Sequence, residues 1–146
     1  MISVLIISLL VGGGIAAYND FNDKQKVIAA GKEYSIILRS AQKRIKSGEK
    51  PDSGCGQLYG YRITTISSGT TASVDIICDQ GSTIIADDVY ALSSGTIFLS
   101  DSVIIFKTLS QGVEGAQIVE LGDINGNYIY QIEITGEGSI TDVGII

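Results

Sequence analysis

Histidine is absent from this chain of 146 residues, cysteine occurs twice and proline once. Without an imidazole the many serines have no base to activate them, so nucleophilic catalysis lacks its partners and no catalytic residue is assigned. Two thiols with no histidine and no third cysteine fall short of a zinc set, and no metal ligand and no cofactor is assigned. Cations are scarce in one region: residues 51–146 hold only Arg62 and Lys107 against twelve acids, which leaves this part at −10. Such a surface lacks the clustered Lys and Arg that neutralise phosphates, so nucleic acid is not an expected partner. Charge of either sign is missing altogether from residues 1–17.

That uncharged run, MISVLIISLLVGGGIAA, opens what reads as one uninterrupted helix over residues 1–47 that changes solvent partway along. Crossing the hydrocarbon core takes roughly 20 apolar residues at a rise of about 1.5 Å each, and this run sits at the bottom of that range. A cleaved secretory signal is the rival reading, weakened because no basic residue precedes the run and Ala16-Ala17 leads straight into helix. Lys24 and Lys26 lie on its C-terminal flank and, taken alone, would hold the downstream domain in the cytoplasm, so a basic segment upstream is expected. Gly12-Gly13-Gly14 costs a helix in water roughly 0.8 to 1 kcal/mol per residue relative to Ala. In a membrane such residues instead permit close helix approach.

From Tyr18 the pattern turns amphipathic. The apolar positions are Phe21, Val27, Ala30, Tyr34, Ile37, Leu38, Ala41 and Ile45, spaced by threes and fours from Val27 onward, as a docking face requires. Lys24, Lys26, Lys32, Arg39, Lys43, Arg44 and Lys46 occupy the other side, and those in the last turns suit the negative end of the helix dipole. Gly48 and Pro51 supply the stop. Residues 1–50 carry a net charge of +4. Contact between the basic face of one copy and the acidic part of another uses this asymmetry, and a solvated helix face beside a soluble acidic surface accounts for it equally well.

Past residue 51 the composition shifts to Gly, Ser, Thr, Ile and Val in short runs. Strands are predicted over 58–66, 72–78, 82–86, 96–99, 102–109, 116–121 and 128–135. Asn125-Gly126 predicts a hairpin with a type I′ turn, while Asp123 to Asn127 only superficially resembles a calcium loop, because its glycine is misplaced and no Glu closes it. Cys55 and Cys78 form an even pair in a chain with an export-type N-terminus, which favours a disulfide over two buried free thiols. The predicted fold is α+β, a long N-terminal helix packed on a small antiparallel β-sheet head. Its two parts are residues 1–50, divided into an apolar membrane or filament stem over 1–17 and an amphipathic half over 18–47, and the β-rich head over 51–146.

Val4-Leu5-Ile6-Ile7-Ser8-Leu9-Leu10, followed by Gly14-Ile15-Ala16-Ala17-Tyr18-Asn19-Asp20-Phe21, resembles the N-terminal helix of type IV pilins and type II secretion pseudopilins. In that family an apolar half-helix runs into an Ala-rich turn, an aromatic-polar-acidic-aromatic step and an amphipathic half leading to a β-rich head. Cys55-Gly56, the Tyr59-Gly60-Tyr61 strand and Ile132-Glu133-Ile134 followed by residues 136–140 are similar to the heads of minor pseudopilins. The family's basic leader, the glycine before its cleavage point and its Phe-Thr-Leu-Ile-Glu start have no counterpart here. Aligned on Tyr18, Met1 falls inside the mature helix, so a truncated or misassigned start is expected.

The resemblance implies a pilin-like fold and a non-enzymatic structural subunit of a type IV pilus or type II secretion pseudopilus that polymerises through its N-terminal helix. Its implied partners are other pilin-like subunits in a homo- or hetero-oligomer, the inner membrane before assembly, and a prepilin peptidase where a leader lies upstream. The implied location is the cell membrane, with the head outside the cytoplasm, and the filament. Some pseudopilins bind calcium in their heads, and no ligands are assigned for that here. The alternative is a membrane-anchored or exported β domain that binds a ligand or surface polymer.

Overall fold

The computed structural model describes residues 2–51, 53–108, 112–115 and 117–146, with side chains from Tyr18 onward except that of Gln80. One helix, α1 (Ile2–Ser47), precedes all the strands. The expected apolar stem over 1–17 and its glycine run lie outside the residues whose side chains are described. Among the described residues no helix is long and apolar enough to cross a membrane. At its C-terminus the Gly48 amide donates to the Ile45 carbonyl and the Glu49 amide to that of Arg44, with Gly48 at φ 69°. This is the Schellman ending that a glycine past the last turn favours.

Among the described residues nine strands follow: β1 (Leu58–Thr65), β2 (Thr71–Cys78), β3 (Thr83–Ala91), β4 (Thr96–Phe98), β5 (Ser102–Lys107), β6 (Val113–Glu114), β7 (Gln117–Asp123), β8 (Ile129–Ile134) and β9 (Ile140–Ile145). They make two antiparallel sheets, ordered β3-β2-β1-β5-β6 and β4-β7-β8-β9. The chain leaves the first sheet after β3, contributes β4 to the second, and returns with β5 beside β1. The sheets are tied where the Ser68 amide donates to the Phe98 carbonyl and the Phe98 amide to that of Gly69.

This corrects the predicted fold class. The molecule is mostly β, with two sheets and a single helix, and is not a pilin-like helix laid on one small sheet. The physical reason is the supply of inward-facing apolar side chains. The first sheet buries Tyr61, Ile63, Val74, Ile76, Ile104 and Phe106, and the second buries Phe98, Val119, Leu121, Tyr130, Ile132 and Ile134. Together they form one core with α1, whose buried positions Val27, Ala30, Tyr34, Leu38, Ala41 and Ile45 recur at helical spacing.

The helix lies against the inner faces of strands from both sheets, with β7, β8 and β9 its main neighbours. At Gly31 it packs so tightly that a methyl group would overlap the ring of Tyr130. Tyr34 sits edge-on to Phe98 at 5.1 Å between ring centroids. Phe21 does not belong to the docking face as predicted: it precedes the first buried turn, and it is exposed.

Three other strand expectations change. Strand β3 runs on to Ala91 because a bulge opposite Val74/Asp75 absorbs Asp87, and Asp88 resumes the ladder against Val74. Strands β6 and β9 have no counterpart among the predicted runs. The β7–β8 hairpin is present at Asn125-Gly126, but only Gly126 of the pair has positive φ. A type I′ turn requires positive φ at both residues. Here the Gly126 amide instead donates to the Asp123 carbonyl, and the loop is longer than two residues.

Candidate functional site

Towards its N-terminus α1 leaves the core of the head. Tyr18 is 70% and Phe21 61% exposed, and Asn19, Asp20, Asn22, Lys24 and Gln25 are exposed beside them. Among the described residues one hydrogen bond ties this segment to the head: the Tyr128 hydroxyl donates to Asp20 Oδ1 at 2.5 Å. That bond raises the Tyr128 pKa, since ionisation would set a phenolate against a carboxylate. Within the helix, Lys26 pairs with Asp23 at 2.9 Å. Tyr18 and Phe21 thus remain largely exposed on the helix within this chain alone.

Further along, the helix and head neutralise one another. Arg44 forms a two-pronged pair with Asp87, reaches Glu49 Oε1 at 3.2 Å, and lies 4.9 Å above the ring of Tyr61. Arg39 meets Asp142 Oδ2 at 2.9 Å, and the Ser35 hydroxyl donates to the same carboxylate. Gln42 Nε2 donates to the Gly138 carbonyl at 2.6 Å, and the Tyr90 hydroxyl donates to Glu33 Oε2 at 3.0 Å. Burial and, after it, Glu33 push the Tyr90 hydroxyl up to about 12. Part of the basic face expected to meet another copy is therefore engaged within the chain. Lys24, Lys32, Lys43 and Lys46 form no ion pair with any described residue.

Cys55 and Cys78 are joined in a disulfide, with Cα atoms 5.4 Å apart. It ties the segment after the helix to the end of β2, where Asp79 also accepts from the Gln57 amide at 2.9 Å and donates its own amide to the Gln57 carbonyl. The Tyr61 hydroxyl donates to the Glu49 carbonyl at 3.0 Å, so the same corner holds the helix end. In the loop resembling a calcium site, Asp123 is buried, and its two carboxylate oxygens accept from the Asn125 and Tyr128 amides. Those bonds shape the turn. Among the described residues no group of three or more Asp, Glu, Cys or His stands close enough to hold a metal ion.

Tyr34 is fully buried, and burial drives its hydroxyl well above the ordinary phenol range, with Ser102 opposing the shift. Its oxygen has no partner in hydrogen-bond geometry. An open groove of about 600 Å³ lies where the end of α1 meets β1 and β5, between Ile45, Lys46, Leu58, Phe106 and Gly138.

Among the contacts missed from the sequence are those of Asp20 with Tyr128 and of Ser35 and Arg39 with Asp142. Residue separations of more than 100 leave no local signal for either. Compared with known proteins, the chain matches no family model, no curated protein and no solved structure.

Proposed function

We propose that this chain is a structural subunit of a type IV pilus or type II secretion pseudopilus, exported with its head outside the cytoplasm and assembled through the N-terminal part of α1. The observation that carries the reading is the pair of exposed aromatics, Tyr18 and Phe21, on helix outside the core of the head. The N-terminal sequence resemblance ends on these same residues. The disulfide agrees with an oxidising compartment outside the cytoplasm. The head's two-sheet architecture contributes nothing to the assignment, which rests on the helix.

The test compares the full chain in detergent with a Tyr18→Ala, Phe21→Ala variant as the detergent is withdrawn. The parent is expected to form filaments or large oligomers. Burying one large apolar side chain is worth about 1.5 to 3 kcal/mol, so loss of both rings should raise the concentration needed for assembly by about tenfold or more. Equal assembly of variant and parent would refute the role of these residues. A parent that binds membranes but never self-associates would favour an anchored β domain instead.

A further inference from the structure

Resting on that reading, we propose that successive copies meet through two open faces on opposite sides of one layer of the fold: the solvent face of α1 and the outer face of the β4-β7-β8-β9 sheet. At 100° per residue, Lys32, Ile36 and Lys43 fall on the side of the helix opposite the buried stripe of Val27, Tyr34, Leu38 and Ile45. Ile36 is 62% exposed with no apolar cover, and Lys32 and Lys43 lie on either side of it along the helix.

The second sheet offers the complement. Its four strands contain no Lys or Arg. Ile118 and Glu120 alternate with the buried Val119 and Leu121, and Glu133 alternates with Ile132 and Ile134, so all three point away from the helix. Ile118 is 52% exposed and sits directly opposite Glu133 in the ladder. Neither Glu120 nor Glu133 forms an ion pair with a described residue. Each open face thus presents one bare isoleucine beside charges of a single sign, and the signs are opposite.

The outer face of the first sheet is a poorer complement. Its cations are already matched, Arg62 with Asp75 at 2.7 Å and Lys107 with Glu114 at 2.9 Å, so it presents no net charge to a basic helix. Because α1 lies on the inner side of the second sheet, the basic face and the acidic face point in opposite directions. A two-fold dimer through either face would set like charges together. Helix face on sheet face is a heterologous contact, which repeats without closing unless the rotation between copies closes a ring.

Two charge-reversal variants of the full chain test this, one with Lys32→Glu and Lys43→Glu, the other with Glu120→Lys and Glu133→Lys. All four residues lie off the core, and circular dichroism with an intact disulfide checks folding. At low ionic strength each variant alone should need a concentration about tenfold or more above the parent's to assemble, because juxtaposed like charges cost several kcal/mol. An equimolar mixture should recover assembly, since each altered face then meets an opposite one. Carbodiimide cross-linking of the parent should join Lys32 or Lys43 to Glu120 or Glu133 of another copy.

Parent-like assembly by both variants alone, or variants that fail alone and stay apart when mixed, would overturn this interface while leaving the filament reading in place. A parent that never self-associates would overturn both.

Discussion

Gly31 tests most sharply whether α1 is seated as described. In an open helix, Gly→Ala stabilises by roughly 0.8 to 1 kcal/mol through backbone entropy. At residue 31 the added methyl would fall within the ring of Tyr130, whose side chain is buried beneath the helix. The ring cannot swing into solvent, so the helix or β8 must shift. Overpacking of this kind costs typically 1–3 kcal/mol, which offsets or outweighs the propensity gain and leaves Gly31→Ala destabilised by up to about 2 kcal/mol. In a Tyr130→Ala background the obstacle is gone, and the same substitution should become neutral or stabilising.

Urea unfolding followed by tyrosine fluorescence would give the double-mutant cycle on a chain beginning at Lys24. A Gly31→Ala variant about 1 kcal/mol more stable than the parent, with Tyr130 present, would refute the close packing of α1 on β8.

Reducing the disulfide, or replacing Cys55 and Cys78 by Ser, should cost roughly 3 to 3.5 kcal/mol of stability through loop-closure entropy, and both thiols should resist alkylation in unreduced protein. Arg44→Ala removes the pair with Asp87 and the cation over Tyr61, and thermal or urea unfolding should register a loss of about 1 to 2 kcal/mol. Tyr90, pushed up to about 12, binds its proton more tightly folded than unfolded, so its contribution is complete below pH about 10 and is lost as pH rises towards 12. Tyrosinate absorbance should show Tyr90 titrating late, and Glu33→Gln should bring its midpoint down without restoring the ordinary value.

The helix was legible because its signals are local: threes and fours from Val27 to Ile45, then Gly48 as the stop. Cys55 and Cys78 were legible as a pair because nothing else in the chain competes for them. The division of the head into two sheets was not. Thr96–Phe98 is only three residues long, and nothing in it indicates whether it pairs with its sequence neighbours or with β7. Strand β9 has Asp142 and Gly144 inside it, so its sequence lacks a clean strand alternation; in the structure Asp142 answers Ser35 and Arg39, and Gly144 lies at a bulge. Strand β6 is too short to carry a period. The charge asymmetry was visible, but not that Arg39 and Arg44 would be consumed within the chain. Pairing of that kind depends on which helix face the core selects.

Sedimentation of the full chain beside one beginning at Lys24, each followed as detergent is withdrawn, tests the central claim most directly. The account predicts that the full chain passes into fast-sedimenting filaments or oligomers while the shorter chain stays monomeric, folded and disulfide-bonded. A full chain that remains monomeric without detergent, or a shorter chain that assembles equally well, would contradict it.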